Sequence, residues 1–139
     1  MTTMNLFRHA QDAKSYAAGQ VVFKAGDAGE VMYAVQDGEV HILLGDRVIN
    51  RIGPGGIFGE MALIDHSPRS ATAVASTDCK LVEVNQKRFE FMVQQTPRFA
   101  LTVMQIMAER LRQRIAELEA RVEKPKRPKA PAKRKPRKK

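Results

Sequence analysis

Phe58-Gly59-Glu60-Met61-Ala62-Leu63, followed six residues later by Arg69-Ser70-Ala71, gathers the residue types that suit anion chemistry. Glycine lets a backbone run close to a bound molecule. A glutamate accepts hydroxyl hydrogen bonds, and an arginine fork grips two oxygens of a phosphate at once. A helix opening at Met61, Ala62 and Leu63 would point its free N–H groups at a negative charge. A buried cyclic sugar-phosphate needs this combination: donors and a cation on the phosphate, and a carboxylate on the free 2′-hydroxyl. On this reading Gly59 makes room and Glu60 takes the hydroxyl. Arg69 pairs with the phosphate, and Ser70 adds a hydroxyl and an N–H. Each element alone also has an ordinary structural reading: a solvated arginine in a loop, or a glutamate capping a helix. Chemistry alone leaves the anion pocket and the ordinary reading both open.

Other reactive residues form no comparable set. His9, His41 and His66 lack metal-ligand spacing, and Cys79 is the single cysteine, so no zinc or iron–sulfur site is expected from nearby residues. His66-Ser67 are neighbours in a loop, whereas a nucleophile and its base need facing side chains and an orienting third group. The chain is therefore expected to bind rather than catalyse. One cysteine allows no intrachain disulfide, in keeping with a reducing compartment. The start carries charges throughout, unlike a signal peptide, and no run of about 18 apolar residues occurs. A cytoplasmic location is expected.

The elements that position the motif are legible in the glycines. All nine lie between Gly19 and Gly59. They punctuate short apolar runs at Val21-Val22-Phe23, Val31 to Val35, Val40 to Leu44 and Val48 to Ile52. Asp37-Gly38 suits a hairpin turn, and Thr72 to Ala75 and Lys80 to Val84 read as further strands. Short strands at this spacing suggest an antiparallel barrel or jelly roll and disfavour a parallel α/β sheet. The fold class expected is mainly β, an antiparallel jelly roll with flanking helices and a long C-terminal helix.

At Asn85 the pattern changes. Asn85 can cap a helix running to about Gln95. Thr96 is expected to cap a second, with Pro97 at its first position. That helix should reach Glu123, about 39 Å at 1.5 Å per residue. Leu101, Met104, Ala108, Leu111, Ile115, Leu118 and Val122 recur in steps of three and four, a heptad seam. Phe99, Val103, Ile106 and Met107 add a second apolar side in the first half. A helix apolar on two sides must bury both, so a homodimer through residues 97–123 is expected. The alternative is a helix folded back on its own domain.

The net charge of +9 is not spread along the chain. Residues 124–139 hold ten Lys or Arg, four prolines and no acid, while residues 1–123 carry 14 basic and 15 acidic residues. Such a tail is expected to be disordered. It resembles the Lys/Pro/Ala-rich arms of linker histones and bacterial histone-like proteins. With no aromatic residue to stack on bases, it would bind a nucleic-acid backbone or an acidic partner without reading sequence. The other reading is a solubilising tail.

The chain resembles the cyclic-nucleotide-binding domain of bacterial cyclic-AMP receptor (catabolite activator) proteins, protein kinase regulatory subunits and cyclic-nucleotide-gated channels. The resemblance runs from about Tyr16 to Arg114. It is carried by Phe23-Lys24-Ala25-Gly26-Asp27, Met32-Tyr33, Asp37-Gly38-Glu39-Val40, Phe58 to Leu63 and Pro68-Arg69-Ser70-Ala71-Thr72-Ala73. It implies an eight-stranded jelly roll with a short phosphate-binding helix. It implies ribose and phosphate contacts from Glu60 and Arg69. It also implies a helix from Pro97 that acts as a lid and dimer interface. Where cyclic-AMP receptors place small hydroxyl residues on that helix, this chain has about Arg114 and Ile115. Arg114 offers donors only, which would suit a guanine carbonyl, and Ile115 offers none. Ser70 matches the cyclic-AMP receptors, so cyclic AMP is the expected ligand, with cyclic GMP the alternative. The helix-turn-helix of family transcription factors has no counterpart in these residues, so sequence-specific operator reading is not expected.

The organisation expected is an N-terminal helical segment over 1–18, a binding barrel with its short following helix over 19–95, a lid and dimerisation helix over 96–123, and a basic tail over 124–139. The function expected is a cyclic-nucleotide sensor that couples ligand binding to lid-helix movement and tail presentation. Two alternatives stand beside it. One is an interaction module with altered or lost ligand that docks on a separate effector. The other is a nucleic-acid-binding protein acting through its tail.

Overall fold

A computed structural model describes residues 2–126. It has two compact units, Thr2–Thr102 and the helical segment from Val103 onward. The first contains eight strands in two four-stranded antiparallel sheets. Strands β1 (Lys14–Tyr16), β8 (Cys79–Asn85), β3 (Val31–Asp37) and β6 (Ile57–Phe58) form one. Strands β2 (Val21–Phe23), β7 (Thr72–Ala75), β4 (Val40–Leu44) and β5 (Arg47–Ile52) form the other. This is the jelly-roll architecture expected from the turn spacing. The motif Gly59 to Leu63 leaves β6 and enters α1 (Met61–Ile64), and Arg69-Ser70 lead into β7.

Alternation along the strands puts one set of side chains between the sheets. Tyr33, Val35, Val40, Ile52, Phe58, Ala73, Ala75 and Leu81 form that core. Met32 and Ala34 alternate to the other face of β3 and are buried as well. Three aromatic rings make a tier within the barrel. Tyr33 stacks on Phe58 with centroids 5.1 Å apart, and Phe23 lies 5.9 Å from each. A second apolar contact set joins Phe7 to Phe99 and Phe89 to Phe99.

Helix α2 (Gln86–Gln95) has the expected bounds, and the Asn85 side chain accepts from Arg88 N–H at 2.8 Å. Thr96 departs from its expected role as the N-cap of the second helix. Its own N–H donates to Met92 O, so it closes α2, and helix α3 (Arg98–Lys126) starts two residues later. The expected end at Glu123 is passed by three residues. The rest of the expected tail, 127–139, lies outside the described residues.

The N-terminal segment is not the helix expected over 1–18. Residues 6–9 form turns and Lys14–Tyr16 pairs with β8. Tertiary contacts decide this. Met4 N–H donates to Gly55 O, and the Gln36 amide donates to Phe7 O and Ala10 O. Partners from the barrel satisfy backbone groups that a helix would otherwise pair internally.

Candidate functional site

Glu60 and Arg69 are the two charged residues buried among the described ones, at 6% and 7% exposure. Buried charge is costly without compensation, so the local folding that puts them there carries the site. The turn at Lys24 to Asp27 is closed by Lys24 N–H on the Asp27 carboxylate at 3.0 Å and by a left-handed Gly26. This turn holds the Arg69 backbone from both sides. Arg69 N–H donates to Asp27 O at 2.8 Å, and Gly26 N–H donates to Arg69 O at 2.7 Å.

From that anchor the Arg69 side chain runs inward. Its Nη1 donates to Gly59 O at 3.0 Å and its Nη2 to Val31 O at 2.7 Å. The guanidinium carbon sits 4.1 Å from the Phe23 ring centroid and 5.8 Å from that of Tyr33. Nε is buried without an acceptor. Burial pulls the guanidinium below its ordinary pKa, opposed by Tyr33, Asp27 and Glu60.

Two glycines make room for this side chain. A Cβ on Gly29 would lie 2.3 Å from Arg69 Nε, and one on Gly59 would lie 2.8 Å from Nη1. Gly59 is also left-handed at φ +78, which an L side chain rarely adopts. It therefore has both the reasons for glycine that close approach requires.

Both ordinary readings of the motif fail here. Arg69 is not a solvated loop cation. Glu60 occupies the N-cap position of α1 but its side chain makes no capping bond. Its backbone C=O accepts from Leu63 and Ile64 N–H at 3.0 and 3.3 Å, which starts the helix. The structure thus brings Gly59, Glu60, Met61, Ala62, Arg69 and Ser70 into one loop-and-helix region. Ala62 is buried, whereas Met61 and Ser70 are exposed. Chemically, the region holds a fixed buried guanidinium whose Nε–H has no acceptor and, across the same short stretch of chain, a buried carboxylate, which fits a ligand carrying both an anion and a hydroxyl.

A cleft of about 620 Å³ flanks α1, lined among others by Gly29, Ala62, His66, Ser67, Pro68 and Lys87. His66 adopts φ +59, and the Ser67 hydroxyl donates to Asp65. No bond joins Ser67 to His66 among the described residues. No group of three or more His, Cys, Asp or Glu side chains able to hold a metal occurs among them either. None of their helices is long and apolar enough to cross a membrane.

Arg114 and Ile115 belong to the helical unit. Arg114 pairs with Glu117 at 3.1 Å, one turn on, and Ile115 is exposed. The seam expected along α3 is exposed at Leu101, Met104, Leu111, Ile115, Leu118 and Val122, with Ala108 partly covered.

Sequence reading missed Phe23, Gly29, Val31 and Tyr33 as parts of the site. Gly29 stands two residues before β3 and is not in the left-handed region, so its need for glycine comes from the approach of Arg69 and was not visible in the local sequence. Nothing local marks the carbonyl of Val31.

A family model for the cyclic nucleotide-binding domain matches residues 13–96. Among curated relatives, a cAMP-dependent protein kinase regulatory subunit of Eremothecium gossypii is 44% identical over 78 residues, covering 56% of this chain and 17% of that protein. A cyclic AMP receptor protein of Thermus thermophilus is 35% identical over 109 residues, covering 75% and 50%. The chain thus spans half or less of the length of these relatives. The crystal structure of the Thermus thermophilus catabolite activator protein superposes with a TM-score of 0.70 at 33% identity, over 78% of this chain and 54% of that one.

Proposed function

The chain belongs to the cyclic nucleotide-binding domain family, and on that premise we propose that it is a regulatory sensor whose ligand is cyclic AMP. The observation that carries this reading is the buried pair Glu60 and Arg69, held beside Gly59 and the start of α1. Arg69 takes the phosphate with its unpaired N–H groups. Glu60 accepts the ribose 2′-hydroxyl. The N–H groups opening α1 at Met61 and Ala62, together with Ser70, complete the anion contacts. Gly59 permits the close approach. The names of two relatives, a cAMP-dependent kinase regulatory subunit and a cyclic AMP receptor, support cyclic AMP as the first ligand to test, with cyclic GMP beside it.

The long helix is the output element of this proposal. Its exposed seam suits pairing with a second copy, and Arg114 and Ile115 on it are the candidate base contacts. Ligand binding would shift that helix and alter how the basic residues at 124–139 are presented to an acidic partner. The ten cations in that stretch support this last step. Gel shift with DNA tests it, since a protein ending at Glu123 should bind more weakly than the full chain.

The test of the central proposal is calorimetric titration of the full chain with cyclic AMP and cyclic GMP beside Arg69→Ala. Saturable binding that the substitution abolishes is the expected result. No heat from either nucleotide would favour an interaction module that has kept the fold without the ligand.

A further inference from the structure

We propose that Phe23 is a positioning residue for Arg69: its ring face fixes the plane of the guanidinium, and so the direction in which the N–H edges meet an anion. As a contact between two side chains the inference stands on geometry; its consequence for ligand rests on the nucleotide-binding reading above.

Read as sequence, Phe23 is an apolar residue in a short strand and would be assigned to the core. Three observations give it another task. The first is closeness: the guanidinium carbon lies 4.1 Å from the Phe23 centroid, against 5.8 Å for Tyr33, so Phe23 is the principal aromatic partner. The second is how the ring is held. A bulge between Val21 and Phe23 shifts the β2–β7 register and sets Phe23 opposite Ala73, a fully buried core residue. Residues paired across two strands share a face, so the bulge turns the ring to the barrel side. There Tyr33 and Phe58 pack against it, each at 5.9 Å.

The third is the set of hydrogen bonds that Arg69 lacks. Two of its five N–H donors reach carbonyls, at Gly59 and Val31, and Nε reaches none. These two hydrogen bonds and the covalent Cδ–Nε link locate the guanidinium, but hydrogen-bond angles are broad and leave its plane room to rock. A contact on the face removes that freedom and still leaves the edges open. An aromatic face suits the purpose because its quadrupole attracts the cation without occupying an N–H. Gly29 completes the arrangement, since its bare backbone is close enough that a Cβ would strike Nε.

The experiment uses the full chain and has two readouts. The first is the NMR resonance set of the Arg69 side chain without nucleotide, assigned with Arg69→Lys. A cation stacked on a ring has upfield-shifted δ and ε protons. These shifts should appear in the wild type, persist in Phe23→Tyr and vanish in Phe23→Leu. Unshifted resonances in the wild type overturn the proposal, even if Phe23→Leu does not fold. The second is titration with the two phosphorothioate diastereomers of cyclic AMP, which differ only in the phosphate oxygen replaced by sulfur. Phe23→Leu should weaken the preferred diastereomer by roughly 5- to 30-fold and reduce the preference, with recovery in Phe23→Tyr. Equal weakening of both, with the preference kept, would mean that Phe23 only supports the fold and would overturn the proposal. If neither diastereomer binds the wild type, the nucleotide reading fails, while the resonance pattern still supports or overturns the Phe23–Arg69 contact.

Discussion

Gly29→Ala tests the architecture of the site with one added methyl group. The backbone at Gly29 is outside the left-handed region, so alanine is conformationally acceptable there. The new Cβ would nevertheless lie 2.3 Å from Arg69 Nε, 2.4 Å from Cζ and 2.8 Å from Nη2. Relief to an ordinary contact of 3.4 Å requires a movement of about 1 Å. A long side chain could give way cheaply if its end were loose. Here the end is fixed by Gly59 O, Val31 O and the Phe23 ring, so the movement breaks at least one charge-assisted hydrogen bond. That costs about 1.5–3 kcal/mol. Replacing glycine returns about 0.4–1 kcal/mol by restricting the unfolded chain. The expected net loss of stability is therefore about 0.5–2.6 kcal/mol. Urea unfolding of the full chain measures it. Under the proposed function, the displaced guanidinium also costs nucleotide affinity, by roughly 10- to 100-fold in calorimetric titration. Gly53→Ala is the control. Its Cβ meets nothing within 4 Å and its φ is likewise outside the left-handed region, so it should be neutral or stabilising by about 0.4–1 kcal/mol. If Gly29→Ala matches Gly53→Ala in both stability and affinity, Arg69 is not held as described and the reasoning is wrong.

Further perturbations separate the site from the scaffold. Asn85→Ala removes the side-chain acceptor of Arg88 N–H and should destabilise the protein by about 1 kcal/mol without changing nucleotide affinity, read by paired unfolding and titration. Asp12 is held below its ordinary value of 3.8 by its hydrogen bond to Arg88. A carboxylate with a depressed folded pKa stabilises above its unfolded value, and that stability is lost as the pH falls through the folded one. The difference between wild type and Asp12→Asn should therefore be present at pH 7 and close below pH 3.8, as followed by acid unfolding. Leu118→Glu places a charge on the exposed seam and should convert a dimer to monomer in sedimentation analysis; an unchanged mass would remove the seam from the proposed interface.

Local pattern was enough for much of this protein. Short apolar runs between glycine turns are a property of neighbouring residues, and β2, β4 and β7 fall where those runs lie. Asn85 caps α2 because its side chain needs only the backbone three residues on. The heptad steps of α3 were likewise readable, since helical spacing alone decides which residues share a face. Glu60 and Arg69 stood out because their residue types sit beside a glycine that the chemistry would require.

Distant contacts decided the rest. Strands β1 and β6 exist through pairing with β8 and β3: Lys14–Tyr16 carries no apolar run and Ile57–Phe58 is only two residues, so neither reads as a strand by itself. The N-terminal segment gave up a helix because Gln36 and Gly55 supply its partners. Above all, the state of Arg69 was not local. An arginine in a loop is free to point into water, and its sequence neighbours do not forbid this. It is buried because Asp27 and Gly26 hold its backbone, carbonyls of Gly59 and Val31 take its edges, and a bulge in β2 presents Phe23 to its face. With Arg69 itself, these groups come from four stretches of chain: Phe23 to Asp27, Val31, Gly59 and Arg69. Only closure of the two sheets brings them within hydrogen-bonding distance, so the residue types were legible in the sequence, whereas their assembly was a product of the fold.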